Sequence, residues 1–132
     1  MPPDIAIQTF WEKALENVDS AASEFSNRRY NASANRAYYA VFQAAIVALM
    51  RSGIRPGGSQ WSHAFVQAQF AGQLVTKRKA YPSALRDALP RLEELRERAD
   101  YKTAHVSQTQ ALRALRRAQE FIDAIARGGE KV

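Results

Sequence analysis

Cysteine is absent from the 132 residues, which excludes disulfides, thiolate metal ligands and a thiol nucleophile, and suits a reducing cytosol. Histidine is scarce. Only His63 and His105 occur, so a histidine-rich metal centre is excluded. The start, Met1-Pro2-Pro3-Asp4, has neither the basic nor the apolar region of a secretory signal. Long apolar runs are lacking too. The most apolar stretch, Ala37 to Met50, contains Tyr38, Tyr39 and Gln43, ends at Arg51 and is too short to span a bilayer. Pro56-Gly57-Gly58-Ser59 reads as a turn, because the Lys-Ser/Thr ending of a phosphate loop is missing. No Ser-His-Asp constellation and no metal-ligand cluster is legible, so neither a metal nor a cofactor is expected. The composition predicts a soluble, cytoplasmic protein with no membrane partner.

What the chain does have is positive charge. Nineteen Lys and Arg stand against thirteen Asp and Glu, a net charge of +6, and most of the basic residues are Arg. Such a surface attracts polyanions, and the planar guanidinium favours phosphate in particular. Apolar residues make up 46% and charged residues 24%, the proportions of a globular chain. The length fits one domain spanning residues 1–132 that buries its own core.

The apolar period is helical throughout, and no segment alternates as a strand does. Ile7, Trp11, Ala14, Val18, Ala21 and Phe25 predict a first helix from Asp4, as N-cap, to about Ser26. Ala34, Ala37, Tyr38, Val41, Ala45 and Ala48 stripe a second from about Asn31 to a stop at Ser52-Gly53. A third is predicted from about Gln60 to Val75, with Trp61, Ala64, Phe65, Ala68 and Ala71 inward, followed by the basic connector Thr76-Lys77-Arg78-Lys79. A fourth opens near Pro82 and stripes through Leu85, Leu89, Leu92, Leu95 and Ala99, with a kink or break expected at Pro90. The fifth opens on a capping box at Ser107-Gln108-Thr109-Gln110 and places Ala111, Leu115, Ala118, Ile122 and Ile125 inward before Gly128-Gly129. Short connections between these segments predict an all-α, antiparallel up-and-down bundle of four to five helices.

Several polar residues fall outside this pattern. Arg36, Tyr39 and Gln43 share one face of the second helix, either as a solvent edge or looking across at the polar end of the fourth. That end reads Leu95-Arg96-Glu97-Arg98-Ala99-Asp100-Tyr101, with His105 four residues on. Two arginines, an acid, a phenol and an imidazole within ten residues suit phosphate binding and proton movement. Arg96 with Asp100 and Glu94 with Arg98 are also i, i+4 pairs, the spacing of ordinary helix-surface ion pairs. The basic connector is a further candidate for contact with a nucleic-acid backbone. His63 reads as a surface residue at the start of the third helix.

Asn35-Arg36-Ala37-Tyr38-Tyr39-Ala40-Val41-Phe42, taken with Leu95 to Tyr101, resembles the HEPN superfamily. The likeness is to its small stand-alone bacterial and archaeal branch, whose members read R-A-Y-Y-A early and L-R-x-x-A-D-Y late. It runs from about Trp11 to Ile125 and includes the closing Ala118 to Ile122 segment. The resemblance implies a helical bundle that pairs as a homodimer and works around RNA or nucleotides. It also implies either a minimal nucleotidyltransferase partner in a toxin–antitoxin or defence module, or a metal-independent ribonuclease built on Arg, four to six residues, then His. This chain departs from the nuclease spacing. Five residues after Arg96 stands Tyr101, a poor base near neutral pH because a phenol titrates near 10. His105 follows Arg98 with six residues between, but lies beyond the expected helix end, in the turn before the fifth helix.

Three functions therefore remain open. One is RNA or nucleotide binding, with Arg96 and Arg98 on phosphate, Asp100 and Tyr101 orienting them, and Arg36 in support. A second is an endoribonuclease in which Arg98 stabilises charge and His105 moves the proton. The third is a protein-interaction module with no nucleic-acid role.

Overall fold

Asp4 begins the first ordered turn by accepting hydrogen bonds from the Ala6 and Ile7 backbone N–H groups at 2.9 and 3.3 Å. The Ile7 bond, with Arg55 and Ala6 adding to it, holds the Asp4 carboxyl below the usual range. A computed structural model describes residues 4–128, so the readings of Met1-Pro2-Pro3 and of Gly129 lie outside the described residues. Five helices follow: α1 (Ile5–Ser26), α2 (Tyr30–Arg51), α3 (His63–Gln69, continuing through Phe70–Lys77 as a π-helix), α4 (Ala88–Tyr101) and α5 (Gln108–Ala126). There is no strand among the described residues. The fold is an all-α bundle.

α2 is the central element. Fourteen of its residues are buried, from Ser33 to Met50, and α1, α4 and α5 all pack on it. Alanines make the closest approach possible: Ala14 and Ala21 of α1 and Ala37, Ala40, Ala44, Ala45 and Ala48 of α2 are all fully buried. Ser33 adds a polar clasp, its hydroxyl donating to the Ala21 carbonyl at 2.8 Å. The stripe expected on α1 is buried or half-buried at every position. On α5 the Ser107–Gln110 capping box forms in both directions, at 3.1 and 2.9 Å.

Two expectations are corrected. α3 does not turn Ala64 and Ala68 inward; both are exposed, and Val66, Phe70, Leu74 and Val75 are buried instead. Burial stabilises Val, Phe and Leu more than Ala because it scales with apolar area, so the larger residues take the inner face. The helix starts at His63, capped by the Ser62 hydroxyl on the Phe65 N–H, which leaves Trp61 outside it. Its wider π-turns carry it through Lys77, into the segment read as a connector. α4, in turn, starts at Ala88 rather than near Pro82, where a single 3-10 turn, Ser83–Leu85, stands instead. Pro90 lies in the first turn, and the Arg91 N–H, just after it, donates to the Asp87 carbonyl at 3.1 Å. A first-turn residue has no intrahelical partner for its N–H, so proline is accommodated there and α4 runs on unbroken.

Candidate functional site

The polar residues of α2 form a chain of hydrogen bonds linking α1 to α4. Gln43 accepts from the Asn17 side-chain amide at 2.8 Å, and Arg36 donates to Asn17 Oδ1 at 3.1 Å. Arg36 Nε also donates to Asn35 Oδ1 at 2.9 Å, and the Asn35 amide donates to Asp100 Oδ2 at 2.9 Å. The same carboxylate oxygen receives Arg96 at 3.4 Å. Asn17, Asn35 and Gln43 each satisfy a neighbour, which is how polar groups survive on helices this apolar. Of Arg36, Tyr39 and Gln43, read as sharing one face, Arg36 and Gln43 are tied to Asn17 of α1, while Tyr39 faces Arg96 of α4.

Arg96 is the buried member, 9% exposed. Its guanidinium lies 5.0 Å from the centre of the Tyr38 ring and 5.6 Å from that of Tyr39, and Arg36 approaches Tyr39 at 5.6 Å. Its Nε has no hydrogen-bond partner. Burial works against the charge, but Tyr39, Tyr101, Tyr38 and Asp100 together outweigh that and raise its pKa above the usual arginine value. Arg96 is therefore a cation held permanently inside an aromatic and acidic cradle.

Tyr38 carries the cradle on its other side. Its hydroxyl shares a hydrogen bond with His63 Nδ1, and the His63 ring stacks on Phe42 at 4.7 Å and lies parallel to Tyr38 at 5.5 Å. Burial, aided by the Glu93 carboxylate, raises the Tyr38 phenol pKa well above the usual tyrosine value. Glu93 in turn accepts from the Gln67 amide. His63, expected on the surface, is half-buried in this cluster. The signal for it was legible: Ser62 is a good N-cap, and the residue after it opens α3 where α3 packs on α2.

The remaining candidates separate. Arg96 and Arg98 are about 200° apart around α4, so they leave the helix on different sides, Arg96 into the bundle and Arg98 to the surface. Arg98 opens onto a groove between α4 and α5, with Arg91, Gln110, Arg113 and Arg117. His105 is exposed in the turn after α4, as expected, with Nδ1 3.0 Å from the Asn31 side-chain amide, while Asn31 Oδ1 accepts the Val106 N–H at 2.9 Å. It shares a shallow groove with Arg28, Arg29 and Tyr30, not with Arg98. Tyr101 is 76% exposed at the end of α4. Asp100 and Arg36 do meet, in a hollow of about 380 Å³ completed by Ser20, Glu24, Asn31, Ala32 and Asn35. The sequence reading had missed Asn31 and Asn35. Chemically, this hollow offers the Arg36 guanidinium beside amides and the carboxylates of Glu24 and Asp100, a mixed set of donors and acceptors suited to hydroxyl and base-edge groups, with Arg36 the cation for a phosphate at its rim.

The model of the HEPN domain matches residues 7–128. The chain belongs to the HEPN family. A protein of Methanocaldococcus jannaschii named "Putative toxin MJ0605" is 28% identical to it over 127 residues, covering 96% of this chain and 90% of that one. In this HEPN domain the early R-A-Y-Y-A segment and the late L-R-x-x-A-D-Y segment meet across the α2–α4 contact. Arg96 bridges them, through Tyr38 and Tyr39 on one segment and Asp100 on its own. No group of three or more metal-ligating side chains occurs among the described residues. No described helix is long and apolar enough to cross a membrane.

Proposed function

We propose that this HEPN chain binds RNA or nucleotide as one component of a two-gene toxin–antitoxin or defence module, acting as a homodimer beside a minimal nucleotidyltransferase. The observation that carries this reading is the hollow lined by Asn31, Asn35, Arg36 and Asp100. Asn35, Arg36 and Asp100 are aimed by a hydrogen-bonded network anchored on buried Arg96, and Asn31 is held by His105 and the Val106 N–H, so the site is organised before any ligand arrives. In it Arg36 contacts phosphate, Asn31 and Asn35 meet base or sugar groups, and Arg96 positions Asp100 from inside the bundle. The net charge of +6 supplies long-range attraction for a polyanion. The likeness to a protein whose name calls it a toxin supports the module. The endoribonuclease alternative brings Arg98 and His105 to one phosphate; within a chain they open onto different grooves, so it would draw them from the two protomers of the homodimer.

Induced expression tests the module directly. Growth should stop in cells producing this chain alone and resume when the product of the neighbouring gene is made with it, the two products co-purifying after nuclease treatment. Unimpeded growth in every strain, with no co-purification, would count against a toxin paired with a neighbour.

A further inference from the structure

α4 and α5 both pack extensively on α2 but touch each other sparingly. A groove of about 250 Å³ is left between them. Its floor is apolar, made by Leu92, Leu95 and Ala114, and four arginines stand around it: Arg91 and Arg98 from α4, Arg113 and Arg117 from α5. Arg113 and Arg117 also border a second hollow alongside, where Arg116 joins them. Among the described residues, the ion pairs of this protein lie elsewhere, at Arg29–Glu24, Arg55–Asp4 and Arg96–Asp100. Among the described residues, none of the four groove arginines or Arg116 has a carboxylate partner within salt-bridge distance. Glu94 and Glu120 line the two hollows and leave the groups an excess of positive charge. Like charges at i, i+4, as at Arg113 and Arg117, weaken a helix, so this cluster costs stability that an anion would recover.

We propose that the α4–α5 groove is a track for the phosphate backbone of single-stranded RNA, lying on the flank of α4 away from Asp100. The inference rests on the reading of this chain as an RNA binder and adds the surface that holds the strand. Every cation in the groove is Arg, whose planar fork takes two phosphate oxygens at once. Arg113 and Arg117 are about 6 Å apart along the helix, comparable to the step between successive phosphates of an extended strand. The floor of Leu92, Leu95 and Ala114 gives bases and riboses an apolar surface, and a guanidinium plane adds a stacking face. An acidic polypeptide would meet the same charges, but without the regular spacing of phosphates along an extended strand.

The test is the salt dependence of binding to a fluorescein-labelled 20-nucleotide oligouridylate. Arg91→Gln/Arg113→Gln/Arg117→Gln is compared with wild type and with Lys13→Gln/Arg86→Gln/Arg127→Gln, which removes the same charge at exposed sites outside the groove and outside the basic connector. Circular dichroism confirms that each variant keeps its helices. The groove variant should lower the log–log salt slope by about 2, three contacts at roughly 0.7 each, and weaken low-salt binding at least about tenfold. The control should keep the wild-type slope. An unchanged slope in the groove variant overturns the track while leaving RNA binding intact. An equal drop in the control overturns it as general electrostatics, and competition by polyglutamate as effective as by RNA overturns it in favour of an acidic protein partner. Wild type that binds no RNA sinks the parent reading, and the track with it.

Discussion

Replacing Tyr38 by alanine should lower the unfolding free energy by about 3–5 kcal/mol, the usual cost of emptying a large aromatic from a packed core. Tyr38 has no exposed surface. Its ring packs on Phe42 at 5.9 Å and on His63 at 5.5 Å, and supports the Arg96 guanidinium at 5.0 Å. The truncation therefore leaves a cavity and strips a buried cation of its aromatic face. Tyr38→Phe separates the two contributions. It keeps the ring and loses only the hydroxyl that bonds to His63 Nδ1, so about 1–2 kcal/mol should be lost. Urea unfolding with an unchanged m-value measures both. Equal, small losses in the two variants would show that the ring is not the keystone of the α2–α4 contact.

The second large effect is an asymmetry across one ion pair. Asp100→Ala should cost about 2 kcal/mol, because it removes the carboxylate of Arg96 while leaving that guanidinium inside the bundle. The side chain of Asp100 is 27% exposed, which holds the figure below the 3–5 kcal/mol typical of a fully buried pair. Arg96→Met keeps the long apolar stem against Tyr38 and Tyr39 and removes the charge, so it should cost less, about 1 kcal/mol. The double variant should then lie within about 1 kcal/mol of Arg96→Met alone, since Asp100 then loses only its bond from the Asn35 amide and no longer serves a buried cation. If Asp100→Ala proved as mild as Arg96→Met, Arg96 would be better solvated than its burial indicates.

The helices were legible because apolar residues, large and small, recur with helical period on α1, α2 and α5, and because Asp4 and Ser107 are strong caps. α3 was misread because Ala64, Ala68 and Ala71 match a helical face as well as Val66, Phe70 and Leu74 do, and only burial separates the two sets. Pro90 was misplaced for a related reason: proline breaks a helix interior but is at home in a first turn, and the helix start had been set too early. At the site, Arg36, Arg96, Asp100 and Tyr101 stood out by type and spacing. Helix register alone could have separated Arg96 from Arg98, two residues apart on α4. What the sequence hid was lateral. Asn31 and Asn35 lie about 65 to 75 residues before their partners Asp100 and Val106. The arginines of α5 became a groove only once α4 lay beside them on α2.

Binding of purified protein to labelled RNA at low salt, alone and mixed with the product of the neighbouring gene, tests the central claim most directly. Wild type should bind saturably, the affinity should fall steeply as salt rises, and Arg36→Gln should weaken it while the protein stays folded. No binding at low salt under either condition would contradict the account.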